Sequence, residues 1–231
     1  MLTIRHSKER GHADHGWLNS HHSFSFAGYH DPKFMNFRML RVINEDRVQG
    51  GQGFGTHSHR DFEIISYVIS GELKHEDSMG HAAVMKTGEV QRISAGTGIS
   101  HSEFNNSDIE PVHFLQIWIT PSKLGVAPNY AQQSFASALS GQLTLACSGD
   151  AREGSILLNQ NVDLYIGKLA AGDHIDWSFA PQRHGWIQMI AGDLDVNGTE
   201  IMSGDGLAID EEQTLRVVAT CGAHFLLFDL N

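Results

Sequence analysis

Short runs of apolar and aromatic residues recur along the whole chain, and glycine, aspartate, asparagine or serine separates each run from the next. Turn residues return about every ten positions, which is typical of strands in a β-sandwich or β-barrel. Helical periodicity is weak and confined to residues 130–139, and residues 120–130 are interpreted as an irregular linker. The clearest predicted strands cover residues 37–43, 62–70, 112–120, 163–169, 186–191 and 223–229. The sequence therefore predicts an all-β fold.

A weak internal repeat links the two halves of the chain. IISYVISGEL resembles WIQMIAGDL, KTGEVQRIS resembles MSGDGLAID, and VHFLQIWI resembles AHFLLFDL, in the same order. Unrelated strands also share such simple patterns, but three matches in one order favour duplication. The repeat therefore predicts two similar β-barrels, of which the second is the shorter.

The composition limits the classes of function. The chain has 231 residues, of which 41% are hydrophobic and 19% are charged, as expected for a folded globular protein. Its formal net charge is -11 and its 16 Lys and Arg residues are scattered, so a direct nucleic-acid partner is not expected. Because no apolar run is long enough to cross a bilayer and the first residues lack an apolar signal core, we expect a cytoplasmic protein without membrane contact. Cys147 and Cys221 are too few for a disulfide framework or a thiolate zinc site.

Two short pairs of metal-ligating residues carry the strongest chemical signal. His57 and His59 form one pair and His101 and Glu103 form the other, each with one residue between its members. Alternate side chains of a strand project from the same face, so two such strands side by side would aim four ligands into one space. Three imidazoles and one carboxylate suit iron, copper, nickel, manganese or zinc and leave room for water, substrate or dioxygen. The spacing therefore predicts an open, catalytic metal site.

The surroundings of these pairs resemble the two conserved motifs of cupins. The first motif is reproduced except that seven residues rather than six separate its last two members; the matching residues are Gly51, His57, His59, Glu63 and Gly71. The second motif lacks its proline and has two extra residues between its glycines; the matching residues are Gly88, Gly98, His101 and Asn105. The resemblance implies a cupin-type, jelly-roll barrel around the metal.

Three longer blocks, at residues 10–32, 51–80 and 94–105, resemble successive conserved blocks of the pirin family, and the likeness covers essentially the entire chain. It implies a bicupin with a metal-binding domain at residues 1–131 and a cupin-like domain without metal ligands at residues 132–231. Typical cupins use the glutamate of the first motif as the fourth ligand, whereas pirins use one placed like Glu103. The resemblance therefore implies that Glu103 binds the metal and that Glu63 lies next to the ligands instead.

The pirin resemblance also implies a chemistry. Some bacterial pirin-like proteins act as quercetin 2,3-dioxygenases, whereas eukaryotic pirin is associated with transcriptional coregulation. We expect one divalent metal ion per chain, with iron(II) first and copper, nickel, manganese, cobalt or zinc as alternatives. The expected reaction is cleavage of quercetin or a related flavonol by dioxygen with release of carbon monoxide, and Glu103 is the expected catalytic base.

Two other functions remain as alternatives at this point. One is a redox-responsive iron protein that acts through a protein partner and not as an enzyme. The other is a different cupin chemistry, such as isomerisation or decarboxylation, for which the sequence offers no substrate-specific residues.

The second half of the chain lacks a comparable ligand set. Aligning Gly192 on Gly71 brings no metal ligand opposite the predicted ones; the residues at those places are Ser178, Ala180, Leu215 and Val217. A barrel filled by side chains is therefore favoured over a second active site.

Three further features have a simple structural interpretation. The glycine-rich stretch at 50–55 lacks the Lys-Ser/Thr of a phosphate-binding loop, so its glycines are assigned to turns beside the ligands. Residues 75–80 are interpreted as a hairpin with Asp, Ser and Gly turn chemistry. An additional metal site is an alternative to a structural role for four N-terminal histidines, His12, His15, His21 and His22.

Overall fold

A computed structural model describes residues 1–136 and 141–231, and almost all regular structure in them is β-strand. The strands up to residue 136 are β1 Leu2–Arg5, β2 Gly11–Asp14, β3 Leu18–His22, β4 Leu40–Val48, β5 Gly53–His59, β6 Glu63–Ser70, β7 Glu72–Asp77, β8 Ala82–Lys86, β9 Glu89–Ser94, β10 Ile99–Asn105, β11 Val112–Ile119 and β12 Asn129–Ser134. The later strands are β13 Gln142–Ser148, β14 Ile156–Leu157, β15 Val162–Leu169, β16 His174–Ser178, β17 His184–Ala191, β18 Asp193–Val196, β19 Thr199–Met202, β20 Gly206–Ile209, β21 Thr214–Ala219 and β22 Ala223–Leu230. The predicted all-β class is confirmed.

The chain forms two compact units. The first contains Gly11–Ala136 and Leu158–Gln160, and the second contains Met1–Arg10, the described part of 137–157 and Asn161–Asn231. The first ten residues thus group with the second unit, although the predicted boundary at 131 counted them with the first. The reason is that β1 pairs with β20, and sequence similarity between the two halves carries no information about that pairing.

The first unit is built from two antiparallel sheets. One has seven strands in the order β12-β9-β6-β11-β4-β3-β2, and the other has four in the order β5-β10-β7-β8. Apolar side chains from both sheets pack together, among them Val48 and Val68 from the larger sheet and Leu73 and Met85 from the smaller one. A second apolar cluster contains Ile64, Ile93, Ala95 and Ile99, and polar groups line another part of the interior, as described below. The unit is a jelly-roll barrel of the cupin type.

The second unit repeats this arrangement. Its sheets have the orders β1-β20-β17-β22-β15-β13-β14 and β16-β21-β18-β19. The three segments of the internal repeat fall on β6 and β17, on β9 and β20, and on β11 and β22, and the members of each pair occupy the same place in their sheets. This correspondence is what duplication predicts.

The interior of the second unit is apolar where the first carries its predicted ligands. His57 pairs directly with His101, and the corresponding pair in the second unit is Trp177 with Leu215. The predicted alignment of Ser178 and Ala180 with the histidines is therefore wrong by one residue. The cause is one extra residue in the second unit between the place of His57 and the aligned glycine, since Trp177 precedes Gly192 by 15 residues and His57 precedes Gly71 by 14. The residues at the four ligand places are Trp177, Phe179, Leu215 and Val217, and all of them belong to or pack against one hydrophobic cluster.

One prediction about local structure was wrong. Residues 129–134 form strand β12, paired with β9, although 120–130 was interpreted as a linker and 130–139 as weakly helical. Polar residues dominate β12 because it is an edge strand, and this removes the apolar alternation on which strand prediction depends. The last part of the predicted helix, 137–139, lies outside the described residues. Within the described ranges, no helix has the length and apolar character that a membrane-spanning helix needs.

Candidate metal centre

The neighbouring strands β5 and β10 bring three of the four predicted ligands together. His57 lies directly opposite His101, and His59 projects from the same face of β5 two residues later. The ring centroids of the three histidines are 4.5 to 4.9 Å apart, and their nearest ring nitrogens lie within 4.8 Å of one another. Such a spacing suits three imidazoles that bind one ion. The alternation of side chains along β5, together with the pairing of β5 and β10, therefore brings the three histidines together.

The fourth predicted ligand, Glu103, is fully buried two residues after His101. Its carboxylate forms a second candidate group with His101 and His75, in which the ligand atoms also lie within 4.8 Å of one another. Ser66 donates to one carboxylate oxygen at 3.2 Å, and Gln116 donates to the other at 2.9 Å. Burial raises the pKa of the Glu103 carboxyl, and the nearby histidines oppose that rise. Glu103 is thus a fixed carboxylate next to the histidine group.

Glycine makes the close approach of β5 and β10 feasible. A Cβ on Gly53 would lie 2.4 Å from the backbone oxygen of Glu103 and 2.5 Å from the Cα of Phe104. The pairing register shifts between His101 and Glu103, so a β-bulge lies at the ligands themselves. This geometry supports the assignment of the glycine-rich stretch to strand and turn structure beside the ligands.

A chain of hydrogen bonds fixes the orientation of His101. The His75 Nε2 donates to Asp77 at 3.1 Å, which leaves the His75 Nδ1 as an acceptor for the His101 Nδ1 at 3.4 Å. The His101 Nε2 then carries a lone pair, and this buried atom has no hydrogen-bond partner. Metal-ligating histidines commonly donate their other nitrogen in this way. The orphan nitrogen is therefore the observation that best fits a metal ion at this place.

The other two imidazoles are also prepared for metal binding. The His57 Nδ1 donates to the Gly55 carbonyl at 2.9 Å, which leaves its Nε2 free to ligate. Burial, with the neighbouring histidines, lowers the pKa of His59 to about 4 and that of His101 to about 3. Both rings are therefore neutral at pH 7, the state in which imidazole binds a metal.

The ligand group opens onto a cavity of about 320 Å³. His57, His59 and Glu103 form one part of its lining, and Trp118 packs edge-on against His59 with 4.9 Å between ring centroids. The aromatic part of the wall consists of Trp17, Phe26, Phe54 and Trp118. The polar part consists of His15, Ser20, His22, Asn44, Asp46 and Gln116.

Asp46 is a buried acid in that polar wall, on β4. Its carboxylate accepts a short hydrogen bond from Ser20, which lies directly opposite on β3. Burial raises the pKa of Asp46 to about 7, and the nearby Glu103 adds to the rise, whereas the bond from Ser20 opposes it. Asp46 is therefore an acid that changes its charge near neutral pH inside the cavity.

Glu63 does not lie beside the ligands. Ser66 reaches Glu103 from one face of β6, so Glu63, three residues earlier, projects from the opposite face. Its carboxylate accepts hydrogen bonds from Ser94 at 3.0 Å and from the Asn159 side chain at 3.1 Å. The structure thus gives Glu63 a role in joining β6, β9 and residues 158–160, and not the predicted place next to the ligands.

The four N-terminal histidines divide into two pairs. His12 and His21 lie opposite each other on β2 and β3 and stack with 4.5 Å between ring centroids. His15 and His22 line the cavity, and the His22 Nδ1 is 2.8 Å from the Asn44 oxygen. Among the described residues, the groups that could hold a metal ion contain none of these four.

Comparison with known proteins agrees with this geometry. A family model described as Pirin matches residues 3–119, and one described as the quercetinase C-terminal cupin domain matches residues 145–230. A protein of Escherichia coli strain K12 named quercetin 2,3-dioxygenase is 47% identical over 230 residues, which cover 100% of this chain and 99% of that protein. The chain belongs to the pirin family.

Solved structures of pirins share the whole fold. The crystal structure of YhhW from Escherichia coli is 46% identical with a TM-score of 0.97, and the match covers 100% of this chain and 98% of that one. The structure of bacterial pirin YhhW in complex with nickel(II), also from Escherichia coli, is 46% identical with a TM-score of 0.96, and the match covers 100% and 99%. The predicted pirin resemblance and bicupin fold are confirmed, and a pirin of this fold can bind a divalent metal ion.

Sequence analysis missed His75, Ser66, Gln116 and Asp46. His75 was treated as part of a hairpin, although its placement on β7, beside β10, brings it against His101. Gln116 is a polar residue among apolar inward-facing residues of β11, and Asp46 and Asn44 interrupt the apolar inward face of β4 in the same way. Such buried polar residues in an apolar pattern were the signal available in the sequence.

Replacing His75 by phenylalanine should weaken metal binding about 10- to 100-fold, because the ring is kept but the acceptor that orients His101 is lost. The affinity is measured by titration against a chelator of known strength. His81→Phe is the matched control, since His81 also donates to Asp77 but lies at the exposed end of the chain of hydrogen bonds. Equal affinities for the two variants would show that His75 does not act through His101.

Asp46→Asn should become more stable relative to the parent as the pH rises from about 4 to about 7. A carboxyl whose pKa is raised in the folded state stabilises that state below its unfolded pKa and loses this contribution as the pH rises through its folded pKa. Asparagine does not titrate, so the free energy of unfolding of the variant minus that of the parent should grow by on the order of a few kcal/mol. Urea unfolding of the metal-free proteins at pH 5 and pH 8 measures it, and a constant difference would contradict the assignment.

Proposed function

We propose that this chain is a metal-dependent dioxygenase that cleaves quercetin or a related flavonol with dioxygen and releases carbon monoxide. The observation that carries the proposal is a three-histidine group next to a buried glutamate, open to a cavity with aromatic walls. The whole-length similarity to a protein named quercetin 2,3-dioxygenase supports the choice of substrate class.

The proposed ligands are His57, His59, His101 and Glu103, which hold one divalent ion per chain. Iron(II) is the proposed ion, and the nickel(II) complex of the Escherichia coli pirin supports the capacity of such a site for other divalent ions. When bound, the ion supplies a Lewis acid that favours the ionised form of a substrate hydroxyl and orients it toward dioxygen. The proposed metal-binding domain is residues 1–131 without Met1–Arg10, which group with the second unit, and the proposed domain without ligands is residues 132–231.

Glu103 is the proposed acceptor of the substrate proton. A base is most effective when its pKa is near the operating pH, and burial raises the pKa of this carboxyl toward that range. The hydrogen bonds from Ser66 and Gln116 hold both carboxylate oxygens in place before the substrate arrives. Little reorganisation is then needed when the proton moves.

The cavity suits a planar aromatic substrate. Its volume of about 320 Å³ falls in the range of sites for small organic molecules, and its lining combines aromatic faces with a few polar groups. Trp17 and Phe54 pack edge to face with 5.4 Å between centroids, and Phe26 and Trp118 do so with 5.6 Å. These rings offer apolar surfaces on which a flavonol can stack.

The metal-loaded protein should consume dioxygen when it is given quercetin and should release carbon monoxide. Oxygen uptake is followed with an electrode and carbon monoxide by the spectrum of a haem reporter, with metal-free protein as control. Absence of metal-dependent uptake with several metals and flavonols would favour the alternative function, an iron protein that acts through a protein partner.

Glu103→Gln should keep part of its metal, held by three imidazoles, but lose about 100-fold or more in turnover per bound metal, because the amide cannot accept the proton. Glu63→Gln is the control, since Glu63 bonds to Ser94 and Asn159 on the other face of β6. Turnover and metal content are measured on the same samples. If Glu103→Gln turns over like the parent while Glu63→Gln loses its metal, Glu63 is the ligand and the assignment of Glu103 fails.

A further inference from the structure

A continuous row of polar side chains crosses the larger sheet of the first unit, on the face that lies across the cavity from β5 and β10. Ser66, Gln116, Asn44 and His22 are successive cross-strand neighbours on β6, β11, β4 and β3. Asp46 and Ser20 form the next pair along β4 and β3. All six side chains are buried. The cross-strand equivalents in the second unit carry no charged residue; they are Ile187, Leu227, Tyr165, Leu145, Gly167 and Leu143. The fold therefore does not need this polar row for packing.

The two ends of this row serve different parts of the cavity. Ser66 and Gln116 donate to Glu103 and so belong to the ligand group. Asp46 is more than nine-tenths buried, lines the same cavity and accepts its hydrogen bond from Ser20 with a single oxygen. A carboxylate has room for several more donors, and burying one without them is costly. A hydroxyl of a bound ligand is the kind of donor that fits this position.

We propose that Asp46 is a specificity-determining residue that accepts a hydrogen bond from a second hydroxyl of the aromatic substrate, away from the oxygen that faces the metal ligands. The inference rests on the proposed function and extends it to the substrate class, an aromatic compound that carries at least two separated oxygen substituents. Ser20 is the positioning residue, because its hydroxyl donates to the Oδ1 of Asp46 and leaves Oδ2 for the hydroxyl of a ligand.

The aromatic walls support this two-point arrangement. Trp17, Phe54 and Trp118 provide apolar contact for the ring system, which gives affinity without selecting among hydroxylation patterns. A buried acceptor discriminates more strongly, since a compound that lacks the hydroxyl leaves Asp46 without its partner. The burial that raises the pKa of Asp46 also strengthens it as an acceptor in its charged form.

The test compares quercetin with 3-hydroxyflavone, which keeps the hydroxyl and ketone that face a metal but lacks the other hydroxyls. Binding to metal-loaded protein without oxygen is measured by quenching of tryptophan fluorescence, since Trp17 and Trp118 line the cavity. The parent should bind quercetin about 10-fold more tightly than 3-hydroxyflavone, the size expected for one charge-assisted hydrogen bond. Asp46→Asn and Asp46→Leu should lose most of this preference and bind 3-hydroxyflavone within about twofold of the parent.

Glu45→Gln is the matched control. Glu45 is a buried carboxylate next to Asp46 in sequence, but it projects from the other face of β4 and pairs with His113 and Arg47. Its variant should keep the preference for quercetin. Two variants at Asp46 are used because leucine removes the hydrogen bond altogether and asparagine preserves the shape. Metal content is determined for each, so that a change in the ligand group is separated from a change at Asp46.

The possible outcomes separate this inference from the proposed function. If the parent consumes oxygen with quercetin and both Asp46 variants keep its preference for quercetin, the inference is overturned and the proposed function stands. An equal loss of affinity for both compounds in the variants also overturns the inference, because Asp46 would then shape the cavity without contacting a hydroxyl. A parent that neither binds a flavonol nor consumes oxygen overturns the proposed function, and this inference with it.

Discussion

The direct pairing of His57 with His101 across two antiparallel strands is the constraint on which the rest of the site depends. Strand alternation places His59 and Glu103 on the same side, and the backbones must come close enough for the three imidazoles to meet beside Glu103. Gly53 permits that approach, since a side chain there would collide with the backbone of Glu103. A shift of one residue in this register would turn the predicted ligands to the outer face of the sheet.

Burial of so many polar groups in one barrel is tolerated because most of them satisfy one another. His101 is joined through His75 to Asp77, Glu103 is held by Ser66 and Gln116, and each bond offsets part of the free energy needed to remove its atoms from water. The second barrel reaches the same strand order with an apolar interior. The polar network is therefore a property of the site and not a requirement of the fold.

The sequence was sufficient for the class of fold, for two similar barrels and for the grouping of His57, His59 and His101, because each depends on spacing within one strand or on short apolar runs. It was not sufficient for His75 and Asp46, whose roles depend on which strands become neighbours. Glu63 shows the same limit. The motif assigns it to the site, but it lies three residues before Ser66 on β6, so its side chain projects from the opposite face of the strand. The register of β16 differed by one residue for a related reason, because loop length is not encoded in strand similarity.

The pairing of β1 with β20 affects the order in which the chain can fold on the ribosome. Leu2 pairs with Ile209, so the edge of the second large sheet is made from a segment synthesised some two hundred residues before its partner. The entropy lost in closing so long a loop grows only with the logarithm of its length, which keeps the equilibrium cost modest. During synthesis, however, β1 has no partner strand until β20 has been translated, and β20 has an unpaired edge until β1 binds to it. The first strand can therefore enter its sheet only after most of the second barrel has been synthesised.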